Sequence, residues 1–415
     1  MKTWISYLAA TAFGLAATLV FGESSFFQQA TYTVTAVLVQ LGGFILIPLV
    51  FFSFSAGIAS LRKDGKGCTF ARTTVFWSVF STLLLVLSAA AVFRFLPLPF
   101  PASSSAGTDP GTFSSVGLQS FSTFLGHLTI VNPFYTLVKA EGFLLPVIII
   151  AFFLGWFLKP NVEIIRPAYV VMNSFSETFF RLARAWAQCG AIFLFFISSH
   201  WLISVAKEGT VFVMLPFLMI LGLGVLLALF VILPLLLAIF SLFSVNPYRI
   251  LYRMLAPALA GMFTGSIFFT TPTTMSLARQ NLSVQKRVSG TAIPLYTLIG
   301  RGGSALVSTL ATLTMIYSAT GSVPEDMILL TIALASALFS FVSPLYVGFE
   351  VFFITTLTLN FLKIDLYGAH MSMVALMPIL NGVGILIDTY VASFGAAYTC
   401  SRMGVLVKTP HRDIV

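Results

Sequence analysis

Charged side chains are nearly missing from this chain, and the few bases fall mostly between its long apolar runs. Asp, Glu, Lys and Arg make up 8% of its 415 residues, against 58% hydrophobic. A soluble domain carries roughly 25% charge and could not bury so many apolar runs at once. Spanning a hydrocarbon core takes about 20 apolar residues. Stretches of that size or longer lie near 4–21, 31–60, 70–98, 128–158, 169–198, 211–244, 291–317 and 366–400. Two more apolar stretches, near 255–278 and 328–362, are interrupted by Pro, Gly, Ser and Thr. The chain reads as an all-α integral membrane protein whose solvent is lipid.

A net charge of +9 raises the possibility of a nucleic-acid partner. The bases argue against it, because they form short groups beside the spans rather than one patch. Cys68, Cys189 and Cys400 are far apart and offer no metal-like spacing. No Gly-rich phosphate loop appears, so ATP drive is unsupported, and no nucleophile–base pair suggests an enzyme. Lys2 precedes the first apolar run, which reads as a retained span rather than a cleaved signal.

With Lys2 in the cytoplasm, successive loops alternate as the positive-inside rule requires. Arg62, Lys63, Lys66 and Arg72 fall inside, as do Lys159 and Arg166, then Arg249 and Arg253. Glu23, the loop 99–127 with Asp109, and the pair Lys207 and Glu208 fall outside, with Arg94 an isolated base near the outer face. Bases flank the interrupted stretch 255–278 on both sides, Arg249 and Arg253 before it, Arg279, Lys286 and Arg287 after it. A re-entrant hairpin keeps both groups inside, with its tip near Gly265 to Thr271; an ordinary kinked span is the simpler alternative. The break near Ser340 to Gly348, in the second interrupted stretch, suggests a mirrored hairpin from outside. Two opposed hairpins point to an inverted repeat around a midplane site, the plan of a secondary transporter.

Several motifs resemble the dicarboxylate/amino-acid:cation symporters, which include sodium- or proton-coupled glutamate and aspartate carriers. They are Pro48-Leu49-Val50-Phe51-Phe52 with Ala56-Gly57-Ile58-Ala59, Asn132-Pro133-Phe134 followed by Phe152-Phe153-Leu154-Gly155, Thr270-Thr271-Pro272-Thr273-Thr274-Met275, and Pro294-Leu295 with Gly303-Ser304-Ala305. The resemblance implies eight transmembrane helices plus two opposed re-entrant helical hairpins, a homotrimer, and elevator-type alternating access. It divides the chain into scaffold helices 1–68, a transport-domain helix 69–98, an outer loop and scaffold helices 99–198, a transport domain 199–405 and a cytoplasmic tail 406–415. It also implies a bacterial cytoplasmic (inner) membrane location with both termini cytoplasmic, and suggests sodium as a possible coupling ion; no other cofactor is expected.

The chain departs from the family where solute and cation would bind. Ser266-Ile267-Phe268-Phe269 stands in place of a serine-rich tip, and Gly300-Arg301-Gly302-Gly303 in place of Asn-Met-Asp-Gly. Val342-Ser343-Pro344-Leu345 replaces Gly-Val-Pro-Gly, and Val391 stands where helix eight commonly has an arginine.

Arg301 is the leading candidate. An arginine inside an apolar helix is costly and must pair or face a cavity. Its fork suits a carboxylate of the solute, and a permanent partner in Asp388 or Glu350 is the structural alternative. Asp388 suits a cation, a proton or a solute amine, or serves as a counter-ion. Gly300 offers a backbone carbonyl, and Asn381 and Thr389 neutral oxygens, to a cation; Ser266, Thr270 and Thr271 line the first tip and Ser343 the second, or each bonds its own backbone. His127, His200 and His370 read as interfacial, and Glu177, Arg181 and Arg184 as an interhelical or headgroup face. The expected function is cation-driven symport of a small anionic or zwitterionic, carboxylate-bearing solute. An anion-conducting channel and a non-transporting membrane receptor remain open alternatives at this point.

Overall fold

The computed structural model describes residues 2–100, 144–207, 214–282, 284–341, 348–364 and 366–405, without the side chains of 207 and 367–372. The described residues form α1 (Thr3–Phe21), α2 (Ser25–Lys63), α3 (Gly67–Phe95), α4 (Leu145–Phe157), α5 (Arg166–Lys207), α6 (Leu215–Phe240), α7 (Pro247–Arg253) and α8 (Leu255–Thr264). There follow α9 (Ile267–Asn281), α10 (Lys286–Ile299), α11 (Gly302–Thr320), α12 (Asp326–Ser340), α13 (Glu350–Phe361) and α14 (Tyr367–Arg402), and no strand occurs among the described residues.

Among the described residues, six helices are long and apolar enough to cross a membrane: α1, α2, α3, α5, α6 and the Met373–Arg402 part of α14. The stretch 291–317 is not one rod, because Gly300 and Arg301 leave helical geometry and divide α10 from α11. Of the stretch 128–158, only the part from residue 144 onward, which holds α4, lies within the described residues, so Asn132-Pro133-Phe134 and His127 fall outside them.

The helices pack in two groups. Helix α5 runs along both α1 and α2, and α4 lies on α2. Helix α3 packs instead against α11, α12 and α14. Contacts of α2 with α9 and α10 join the groups. Helices α8 and α9 pack on each other, as do α12 and α13.

The first turn is made at Gly265, whose φ of 56° is left-handed, a conformation that a side chain would strain. Thr270 and Thr271 lie inside α9 rather than in the turn, because helix resumes at Ile267. The second turn, including Ser343, lies outside the described residues.

Prolines inside these helices free carbonyls that lipid cannot satisfy. Side chains donate to carbonyls near two of these prolines. Pro294 cannot donate to Gly290 four residues back, and Ser53 Oγ of α2 donates to that carbonyl at 3.2 Å. In the π-helical segment Ala228–Ile232 of α6, next to Pro234, Tyr248 Oη donates to the Phe230 carbonyl at 3.2 Å. Trp77, fully buried on α3, donates its Nε1–H to the Val391 carbonyl of α14 at 3.0 Å.

Ion pairs gather where the first hairpin returns. Glu177 of α5 meets Arg279 at 3.1 Å and Lys286 at 3.3 Å, and Asp64 pairs with Arg287. The interhelical reading of Glu177 therefore holds. Arg94 pairs with Asp326 at 3.0 Å, both well exposed.

Candidate functional site

The break between α10 and α11 builds the site. A helix that starts inside protein leaves its first-turn N–H groups without intrahelical acceptors and its positive dipole end exposed. Here Asp388 of α14 fills that role. Its Oδ1 accepts the Gly303 N–H at 2.6 Å and, more weakly, that of Ser304 at 3.4 Å, while its Oδ2 accepts from Ser304 Oγ at 2.6 Å. The approach is close enough to demand glycine: a Cβ on Gly303 would stand 2.5 Å from both the Gly384 carbonyl and Ile387 Cβ.

Arg301 sits at the cap of α11 with its side chain wholly buried. Its Nη2 donates to Glu350 Oε1 at 2.8 Å, and its Nη1 lies 3.7 Å from Asp388 Oδ2. Glu350 opens α13 and is 1% exposed, and Asp388 is 3% exposed. The two alternative partners named from sequence thus come to one guanidinium together. Arg301 Nε and Nη1 have no hydrogen-bond partner among the described residues, although both are buried.

Asn381 ties the start of α13 to this centre. Its Nδ2 donates to the Gly348 carbonyl, and its Oδ1 accepts from Val351 N–H at 3.3 Å, which fixes the chain on both sides of Glu350. On its other side a Cβ on Gly265, at the first turn, would lie 3.6 Å from Asn381 Cβ. Gly348 N–H also donates to Glu350 Oε2 at 2.9 Å.

Ser266 precedes α9 at the first turn; its Oγ and that of Thr271 are buried without a partner among the described residues. Thr270 instead donates to the Ser266 carbonyl at 2.8 Å, and Thr389 to that of Ile385 at 2.7 Å, the local bonding open to any helical threonine. Ser343 is not among the described residues.

Gly300, Asn381, Asp388 and Thr389, the positions named for a cation, do not make one sodium cage. Asn381 and Asp388 are about 10 Å apart along α14 at 1.5 Å per residue. Thr389 points about 100° away from Asp388 on the same helix. Arg301 already brings a positive charge beside Asp388.

Sequence reasoning named Glu350 only as a possible partner of Arg301 and quoted Gly303 and Ser304 only as a motif. A signal was present for Glu350: it is the single Asp, Glu, Lys or Arg between 327 and 362, as Arg301 is between 288 and 324 and Asp388 between 366 and 401. Intramembrane charges this isolated need one another.

No curated protein matches the chain at a significant level. The sodium:dicarboxylate symporter family, by contrast, matches residues 3–399. That match covers nearly the whole of an all-helical, multi-pass membrane protein, and the chain belongs to the sodium:dicarboxylate symporter family.

Proposed function

We propose that the chain is a secondary symporter that carries a small carboxylate-bearing solute, an amino acid or dicarboxylate, with a cation across a bacterial cytoplasmic membrane. One observation carries the solute class: a fully buried arginine, at the break before α11, whose Nε and Nη1 have no hydrogen-bond partner among the described residues. A guanidinium presents planar donor pairs that match a carboxylate, and a buried donor without an acceptor is costly. Membership in a symporter family supports gradient-driven transport.

In this reading the helices α1, α2, α4 and α5 form a scaffold, in a homotrimer, past which the hairpins and α3, α6, α10, α11 and α14 slide as a unit. Its support is the packing of α5 on α1 and α2, apart from that of α3 on α11, α12 and α14. Coupling arises if the second hairpin closes over Arg301 only when solute and cation are both present. The full burial of Arg301 disfavours the alternative of an open anion-conducting path.

The test is uptake by purified protein in liposomes, with sodium and proton gradients imposed separately over a panel of amino acids and dicarboxylates. Accumulation above equilibrium supports symport. Current without accumulation would sink it in favour of a channel, and inert but well-folded protein would favour a receptor.

A further inference from the structure

We infer that a basic cavity, where α2 and α5 meet the end of α9 and the start of α10, binds a phosphate group: the singly charged phosphodiester of a membrane lipid. The cavity shares no residue with the centre at Arg301 and does not depend on the proposed solute.

Its volume is about 600 Å³, and its lining has Arg279, Lys286 and Arg287 and no acid among the described residues. The acids that meet these bases stand outside the lining. Arg279 and Lys286 both reach one oxygen, Glu177 Oε2, at 3.1 Å and 3.3 Å, and Arg287 pairs with Asp64. Three bases against two acids leave one positive charge. The three basic side chains are only 21% to 27% exposed, so water screens that excess poorly.

The walls hold the cations in place and add a neutral donor. Lys286 Nζ donates to the Asn173 backbone carbonyl at 3.0 Å and to its Oδ1 at 2.9 Å. The Arg279 guanidinium lies over the Phe180 ring, 5.1 Å from its centre. Ser176 lines the cavity, is fully buried, and its Oγ has no partner among the described residues. A phosphate offers several oxygens, so it can accept from both cations and from Ser176 together.

Two features select a lipid over free phosphate. One is charge: a phosphodiester carries a single negative charge and balances the excess, whereas a phosphate dianion reverses it. The other is an aromatic shelf beside the cavity. Phe52 stacks on Phe175 at 4.9 Å and on Phe179 at 5.7 Å, and Phe175 is 48% exposed. Phe52 and Phe175 directly precede the lining residues Ser53 and Ser176. An acyl chain laid on that shelf puts its phosphate at the bases, as basic pockets between membrane helices hold lipid headgroups.

The test titrates purified protein in dodecyl maltoside with dioctanoyl phosphatidylglycerol, inorganic phosphate, or dioctanoylglycerol, which lacks the phosphate. Each Kd is read from the saturable rise in melting temperature. Phosphatidylglycerol should bind saturably, phosphate about tenfold or more weakly, and dioctanoylglycerol not at all. Arg279→Gln and Lys286→Gln should each raise the lipid Kd about tenfold, the loss of one charge-assisted hydrogen bond. Arg249→Gln removes an exposed base outside the cavity and should leave Kd unchanged. Equal weakening by Arg249→Gln would overturn the inference, as would equal binding of dioctanoylglycerol or a Kd that neither cavity variant moves. Phosphate binding as tightly as the lipid would overturn the lipid assignment. If the cavity variants do not fold, phosphatidylglycerol with a photoactivatable acyl chain should label the unaltered protein around Phe52 and Phe175. Labelling confined to other segments would overturn the inference.

Discussion

Asp388 and Gly303 lie 85 residues apart in the chain, yet the carboxylate of one accepts the backbone N–H of the other at 2.6 Å. That bond makes an acid on α14 the cap of a helix that begins mid-protein. It also fixes the chain next to Arg301.

Asp388→Ala should therefore cost far more than an ordinary polar deletion. It removes the acceptor of two first-turn donors and leaves Ser304 Oγ unpaired, a loss of about 3–5 kcal/mol by the behaviour of broken buried charge clusters. Asp388→Asn keeps an acceptor for Gly303 and should cost less. Thermal unfolding in detergent would rank them, and an Asp388→Ala protein as stable as its parent would contradict the capping role.

Gly303→Ala tests the close approach. Its methyl would stand 2.5 Å from the Gly384 carbonyl and Ile387 Cβ, so backbone must shift. Overpacking of this kind costs about 1–3 kcal/mol. Gly222→Ala is the control, since among the described residues no atom beyond its own turn of helix lies within 4 Å of its added Cβ. Equal melting temperatures for the two variants would show that α11 and α14 are not in contact at Gly303.

Arg301→Gln strands two buried carboxylates and should destabilise strongly, while the double variant Arg301→Gln, Glu350→Gln should recover part of the loss. The coupling in such a cycle between contacting residues is about 0.5–3 kcal/mol. Additive losses would mean that the 2.8 Å contact does not hold in the membrane.

Glu177→Gln removes the acid shared by Arg279 and Lys286. These side chains are 23% to 35% exposed, so the stability cost should stay below about 1 kcal/mol. The pairs tie α5 to the end of α9 and the start of α10, so in the proposed sliding motion the maximal uptake rate should rise severalfold with KM unchanged. A rate equal to that of the parent would remove these pairs from the moving step.

Apolar length and the placement of bases made much of this fold readable. The long runs became α1, α2, α3, α5 and α6, and the chain turns at Gly265 within the stretch that basic clusters bracket. What periodicity cannot give is which polar groups meet across helices. Thr270 and Thr389 satisfy carbonyls of their own helices, because a hydroxyl finds its i−4 neighbour before any ligand. The meeting of Arg301 with Glu350 and Asp388 joins three stretches distant in sequence. Only the isolation of each charge in its apolar stretch hinted at it.

In the proposed function Arg301 holds the carboxylate of a solute driven across the membrane. The measurement that tests this is gradient-driven accumulation in proteoliposomes that contain either the unaltered protein or Arg301→Lys, a variant that keeps the charge and loses the fork. The unaltered protein should accumulate solute above equilibrium and Arg301→Lys should show at least about a tenfold lower kcat/KM, a transition-state loss of about 1.4 kcal/mol or more. Equal accumulation by both proteins, with the same KM, would contradict it.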